Sequence, residues 1–187
     1  MEISKTLYVK TRDEWRNWLK KNYKIEKEIW LVFQNKSSHK TGIIYEEAVE
    51  EALCFGWIDS IVKKTEKHSH VQRFTPRNPK SAHSQLNKER LKRLLRKKKV
   101  IASVRKTLGD LENEKFVYPM DIIDEIRVNK EAWKNYQKFS EAYKRIRIAF
   151  IDDARIQPDI FRVRLNYFIK MTAQNKQYGL KGIEKYL

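Results

Sequence analysis

The sequence predicts an α+β fold: a small antiparallel three-stranded sheet with flanking helices, followed by a C-terminal helical bundle. Three observations point there. The strand-like runs EIWLVF (28–33), WIDSIVKK (57–64) and HSHVQRF (68–74) all lie in the first 80 residues. From Ser81 onward the apolar residues keep only helical spacing. The acidic, irregular stretch GDLENEKFVYP separates a domain over 1–109, which contains a basic helix, from a helical domain over 110–187.

Each element has its own local reason. Thr11 and Glu14 form a capping box, with the Glu14 carboxylate reaching back to Thr11, and Trp15, Trp18 and Leu19 share one face of a helix from 12 to 22. EIWLVF is short, aromatic and β-branched, which suits a buried strand, and NKSSHKTG (35–42) is its loop. Tyr45, Ala48, Val49, Ala52 and Leu53 give a helix over 44–55, and Gly56 stands where a left-handed C-terminal cap is needed. The next two runs form a hairpin about a turn at 65–67. Ser81 or Ser84 caps a basic amphipathic helix, 84–99, with Leu86, Leu91, Leu94 and Leu95 on one side. Val100, Ile101, Val104 and Leu108 continue helical spacing to Gly109. Pro119 starts a helix carrying Ile122, Ile123 and Ile126; a second carries Trp133 and Tyr136, and a third Tyr143, Ile146 and Phe150. Pro158 opens a fourth, with Phe161, Leu165, Phe168 and Ile169 inward.

At 187 residues, 41% hydrophobic and 12% aromatic, the chain can bury a substantial core. Its formal charge is +17, and residues 61–106 hold sixteen basic and only two acidic residues. Such an imbalance attracts anions at long range, so an anionic small molecule or a polyanion, nucleic acid included, is the expected partner. Cys54 is the only cysteine, which excludes an internal disulfide and a thiolate zinc site. The opening MEISKTLYVKTRDEW lacks an apolar run long enough for a signal peptide or anchor, so a cytoplasmic location without membrane insertion is expected.

The stretch QRFTPRNPKS (72–81) is the candidate anion site. Arg73, Arg77 and Lys80 project from a segment stiffened by Pro76 and Pro79, close to Ser81, Ser84 and the free amides of the next helix. Gly56, Trp57 and Asp59 would support it, Asp59 holding Arg73 or Arg77 across the hairpin. The structural alternative is that these arginines pair with Asp59 or with Glu46, Glu47, Glu50 and Glu51. A second candidate is the stripe Lys88, Lys92, Arg93, Arg96, Lys97, Lys98 and Lys99, which could track a nucleic-acid backbone without sequence preference. The competing explanation is a solvated charged face. Catalytic signals are weak. Cys54 sits on an apolar helix face, His68 and His70 lack a third metal ligand, and Asp152 and Asp153 point about 100° apart. No catalytic residue, cofactor or metal is assigned.

Two segments carry a family resemblance: ALCFGWIDSIVKK with QRFTPRNPKS and NKERLKRL, and YKRIRIAFIDDARIQPDIFRVRLNYFIKMTAQNKQYGLKGIEKYL. Together they resemble the bacteriocin-protection family, also called YdeI/OmpD-associated, from about Trp15 to the C-terminus. His83 stands where relatives usually carry Trp. The resemblance implies a role in antimicrobial-peptide or stress tolerance exerted through binding, and it brings no catalytic residues. Non-specific nucleic-acid binding is the alternative function, and an enzyme acting on a phosphorylated small molecule is a third.

Overall fold

Four strands order themselves β1-β2-β4-β3 in a mixed sheet: β1 Thr6–Leu7, β2 Ile29–Gln34, β3 Trp57–Glu66 and β4 Ser69–Pro76. The computed structural model describes residues 2–34, 42–66 and 69–179, so the loop expected at 35–42 lies almost wholly outside the described residues. β2 and β4, and β4 and β3, pair antiparallel, as the hairpin pattern implied. β1 is the correction to the expected three-stranded antiparallel sheet, because Thr6 and Leu7 run parallel to Trp30 and Leu31. Two residues are too few to show alternation, so only tertiary pairing defines this strand.

The helices are α1 Arg12–Asn22, α2 Tyr45–Cys54, α3 Gln85–Arg96, α4 Ala102–Thr107, α5 Met120–Val128, α6 Lys130–Tyr136, α7 Glu141–Asp152 and α8 Pro158–Ala173. The chain forms two compact units, Met1–Ala82 with Arg90–Glu112, and His83–Glu89 with Asn113–Leu187.

In the first unit, Trp15, Leu19, Ile29, Leu31, Ala52, Leu53, Trp57, Phe74, Leu91 and Leu94 share one apolar core. Three carboxylates of α2 are buried beside it: Glu46, Glu50 and Glu51, the last two with no exposed surface. Each is matched by arginine. Arg12 reaches Glu50 at 3.0 Å and also binds Glu51, Arg16 binds Glu51, Arg93 binds Glu50, and Arg90 grips Glu46 through Nε and Nη2. The α2 carboxylates thus pair with α1 and α3, and Arg73 and Arg77 are absent from the network.

In the second unit, Ile122, Ile126, Tyr143, Ile148, Ile151, Leu165 and Phe168 form the core. Asn135 Nδ2 donates to the carbonyls of Thr172 and Ala173, closing the end of α8, after which Asn175 takes φ 53°. Arg147 lies over the Tyr143 and Tyr178 rings and donates to the Gly179 carbonyl at 2.8 Å. Ile183 and Tyr186 are outside the described residues. Phe150, expected inward, is 40% exposed and carries Arg164 stacked 3.9 Å from its ring centre.

The helix ends refine the sequence expectations. Thr11 Oγ1 caps Glu14 N at 3.2 Å, but the Glu14 carboxylate accepts from Lys10 N rather than Thr11. Ser140 caps α7 and Pro158 opens α8, while Pro119 is the N-cap of α5. The basic helix stops at Arg96 instead of 99. Lys98 N donates to Leu95 O and Lys99 N to Leu94 O, a Schellman closure that puts Lys98 at φ 53°.

Three outcomes follow for stability. Glu50→Gln leaves Arg12 and Arg93 poorly matched in a buried setting, and urea unfolding should show a loss of about 3–5 kcal/mol. The more exposed Arg73–Glu28 pair broken by Glu28→Gln should cost less than about 1 kcal/mol. Lys98→Gly relieves a left-handed side-chain conformation and should add about 0.5–1 kcal/mol.

Candidate anion-binding surface

Strand register decides the fate of Arg73 and Asp59. Arg73 stands opposite Trp30, and the diagonal across the β2–β4 ladder brings it to Glu28, where Nε donates to Oε2 at 2.6 Å. Ser4 and Arg73 hold the Glu28 carboxyl below the usual carboxylate range. Asp59 is registered with Phe74, so alternation places it on the opposite face of the sheet from Arg73. There Tyr45 Oη donates to Asp59 Oδ2 at 2.6 Å and Gln72 Nε2 at 3.1 Å. Burial, with Asp59 adding to it, raises the Tyr45 hydroxyl above its ordinary value. Asp59 therefore orients neither arginine. The joint Arg73, Arg77 and Asp59 pocket that an enzyme on a phosphorylated molecule would use is not formed.

Arg77 is differently placed. Its backbone N–H donates to Gly56 O at 2.9 Å. Its Nη2 is buried without a hydrogen-bond partner among the described residues. Burial lowers the guanidinium from the ordinary arginine value, and no carboxylate offsets that effect. Just beyond, Asn78 organises the turn: its Oδ1 accepts from Lys80 N at 3.0 Å and its carbonyl from Ser81 N at 3.1 Å. Lys80 and Ser81 are exposed. Ser84 belongs to the second unit, where its Oγ accepts from Asn87 N at 3.4 Å at the start of α3.

Gly56 is the corner that Arg77 leans on. It takes φ +73°, which favours glycine, and a Cβ there would lie 3.1 Å from Val104 Cγ2, pressing on that side chain. Trp57 turns inward as expected, its indole N–H donating to Tyr23 O at 3.1 Å and its ring meeting Trp18 edge-on. The FGWID stretch is thus a structural corner. One turn of chain away, the amide of Ile101 donates to Cys54 O at 3.2 Å. Two basic segments are therefore tied to the end of α2, one through Arg77 at Gly56 and the other through Ile101 at Cys54.

The stripe on α3 is divided. Lys88 pairs with Glu114 in the second unit, and Arg93 is taken by Glu50. Lys92 and Lys99 are partly buried, the Lys99 carbonyl accepting from Arg16 Nη2 at 2.9 Å. Arg96, Lys97 and Lys98 remain exposed. Arg105 and Lys106, exposed on α4, extend this corner and were not singled out from the sequence, although the charge count over 61–106 included them. Arg12, Arg16 and Arg90 were also missed. Their signal was the set of glutamates on an otherwise apolar helix.

The other candidates resolve simply. His70 stacks on Phe33, and His68 lies outside the described residues. No group of three His, Cys, Asp or Glu among the described residues is placed to hold a metal. In the second unit an open groove of about 590 Å³ is lined by Asn129, Glu131, Asn166 and Lys170, and it holds none of the predicted residues. No helix among the described residues is long and apolar enough to cross a membrane.

Residues 7–107 match the family model of a domain of unknown function, DUF8412. The chain belongs to that family. The DUF8412 stretch runs from the end of β1 through α4, so it contains Gly56, Arg77 and the whole Arg96–Lys106 corner. No curated protein and no solved structure matches the chain.

Cys54 offers a direct check on this packing. It is fully buried, and burial pushes its thiol up to about 11. A thiol reagent at neutral pH should label it only as fast as the chain opens. Because the folded thiol holds its proton more tightly, its contribution to stability is intact below the unfolded value of about 8.5. It should then decline as pH rises toward about 11.

Proposed function

We propose that this DUF8412 protein is a non-catalytic anion-binding protein whose primary ligand group is Arg77, with Lys80 assisting. The observation that carries the proposal is the unpaired, buried Nη2 of Arg77 on a segment stiffened by Pro76 and Pro79. A desolvated guanidinium without a carboxylate costs free energy, and an oxyanion such as phosphate or carboxylate restores it. The prolines reduce the ordering cost of binding. Arg73 is withdrawn from the site because Glu28 already satisfies it.

The setting we propose is cytoplasmic, with a role in antimicrobial-peptide or stress tolerance, on the strength of the resemblance to bacteriocin-protection proteins. The ligand would be a small anion recognised by charge and by the planar fork of arginine.

The test is Arg77→Met, which removes the cation and keeps most of the packing. Without ligand the variant should match or exceed wild-type stability by up to about 1 kcal/mol, since an unsatisfied buried group disappears. Inorganic phosphate should raise the melting temperature of the wild type with the logarithm of ligand excess and leave the variant unmoved. A variant that loses more than about 1 kcal/mol while phosphate stabilises both chains equally would make Arg77 a structural residue and end this proposal.

A further inference from the structure

We infer that the corner between α3 and α4 is a second, independent binding surface, built for the phosphate backbone of double-stranded nucleic acid. From Arg96 to Lys106 the sequence RKKKVIASVRK has six cations and no carboxylate. Arg96, Lys97, Lys98, Arg105 and Lys106 are exposed. The ion pair made by this segment's exposed cations among the described residues, Arg105 with Glu112, is 3.9 Å long, at the limit of such a pair. Elsewhere in this unit four arginines of α1 and α3, Arg12, Arg16, Arg90 and Arg93, are held by α2 carboxylates. Among the described residues, Arg96, Lys97, Lys98 and Lys106 are held in no salt bridge, so the surface charge at this corner is largely uncompensated.

The corner is also held in place. The Schellman closure fixes the backbone at Lys97–Lys99, Arg16 Nη2 holds the Lys99 carbonyl at 2.9 Å, and the Ile101 amide is tied to Cys54 O. Val100, Ile101 and Leu108 pack on the apolar core, and Val104 abuts Gly56. The apolar members of the segment thus face the protein and the cations face solvent. With the backbone already fixed, only the side chains have to be ordered on meeting a regular row of phosphates.

The chemistry of the corner selects among polyanions. No large apolar side chain between residues 96 and 106 is exposed, so the corner lacks the wedge by which a peripheral helix enters a lipid surface. It likewise lacks the aromatic and apolar centre that a protein partner needs. The segment contains no aromatic residue on which unpaired bases could stack, which favours a duplex over a single strand. No side chain here is held to read base edges, so binding is independent of sequence.

The experiment measures binding of a labelled duplex DNA, a duplex RNA and a single strand of equal length across a salt series. The corner variant is Arg96→Gln, Lys97→Gln, Lys98→Gly and Lys106→Gln together, glycine preserving the left-handed turn at 98. A charge-matched control changes Lys130, Lys134, Lys138 and Lys170 to Gln in the second unit, all of them exposed. Wild type should bind duplex with a dissociation constant of about 10⁻⁴–10⁻⁶ M near physiological salt, with a steep salt slope. The corner variant should lose about tenfold or more at low salt, and the magnitude of its slope should fall by roughly 2–4. The control and Arg77→Met should stay near wild type, so that failure here and failure of the Arg77 site are separately visible. Equal losses in the corner variant and the control would reduce the effect to net charge and overturn the proposal. So would a corner variant that binds like wild type, preference for the single strand, or binding to anionic phospholipid vesicles but not to duplex. Comparable binding of DNA and RNA duplexes supports backbone recognition, and selection of one assigns the source of the phosphates.

Discussion

The buried carboxylates of α2 are the constraint on which the first unit depends. Glu46, Glu50 and Glu51 are out of solvent, and charges in that position are tolerated only when matched in geometry and sign. Arg12 and Arg16 supply the match from α1, Arg90 and Arg93 from α3. Such pairs are a weaker source of stability than apolar packing would be, but they leave little freedom in how three helices meet. Arg16 extends the effect, since the same guanidinium that binds Glu51 also holds the Lys99 carbonyl. The network thereby sets both where the chain leaves α3 and which cations remain for solvent.

The far end of α2 works through backbone groups. A helix C-terminus leaves carbonyls unsatisfied and carries partial negative charge. Here Cys54 O accepts from Ile101 N, and Gly56 O, just past the helix, accepts from Arg77 N. Gly56 makes room for this arrangement, since a side chain at φ +73° would be strained and would press on Val104. Two strongly basic segments, distant in sequence, are thereby anchored within three residues of each other.

Local signals were the legible part of the chain. Thr11 and Pro158 mark helix starts because capping depends on residues within one turn. The β3–β4 hairpin followed from alternation. What depended on partners far along the chain was not legible. β1 exists only because β2 runs beside it. Arg73 and Asp59 seemed neighbours across a hairpin, but pairing of Asp59 with Phe74 puts them on opposite faces, since one step in register reverses a side chain. Glu46 and Arg90 are 44 residues apart, so which cations were consumed could not be read from a charge run. The helix end at Arg96 was hidden for a related reason. Its left-handed position holds lysine where the sequence rule looks for glycine, and tertiary ties at Lys99 and Ile101 support the turn instead.

The two cationic features differ in kind, and that difference bears on what each can recognise. Arg77 is one partly buried guanidinium, where the surrounding medium screens weakly and one oxyanion can meet a planar pair of donors. Its selectivity would come from hydrogen-bond geometry and would change little with salt. The α3–α4 corner is a set of exposed charges on a fixed backbone, each fully open to counterions. Its attraction for a polyanion would act collectively and fade as salt rises, because such binding gains mainly from releasing ions condensed on the partner. If both proposals hold, a long anion and a small one would be distinguished by surfaces that the end of α2, at Cys54 and Gly56, holds in place through two backbone hydrogen bonds.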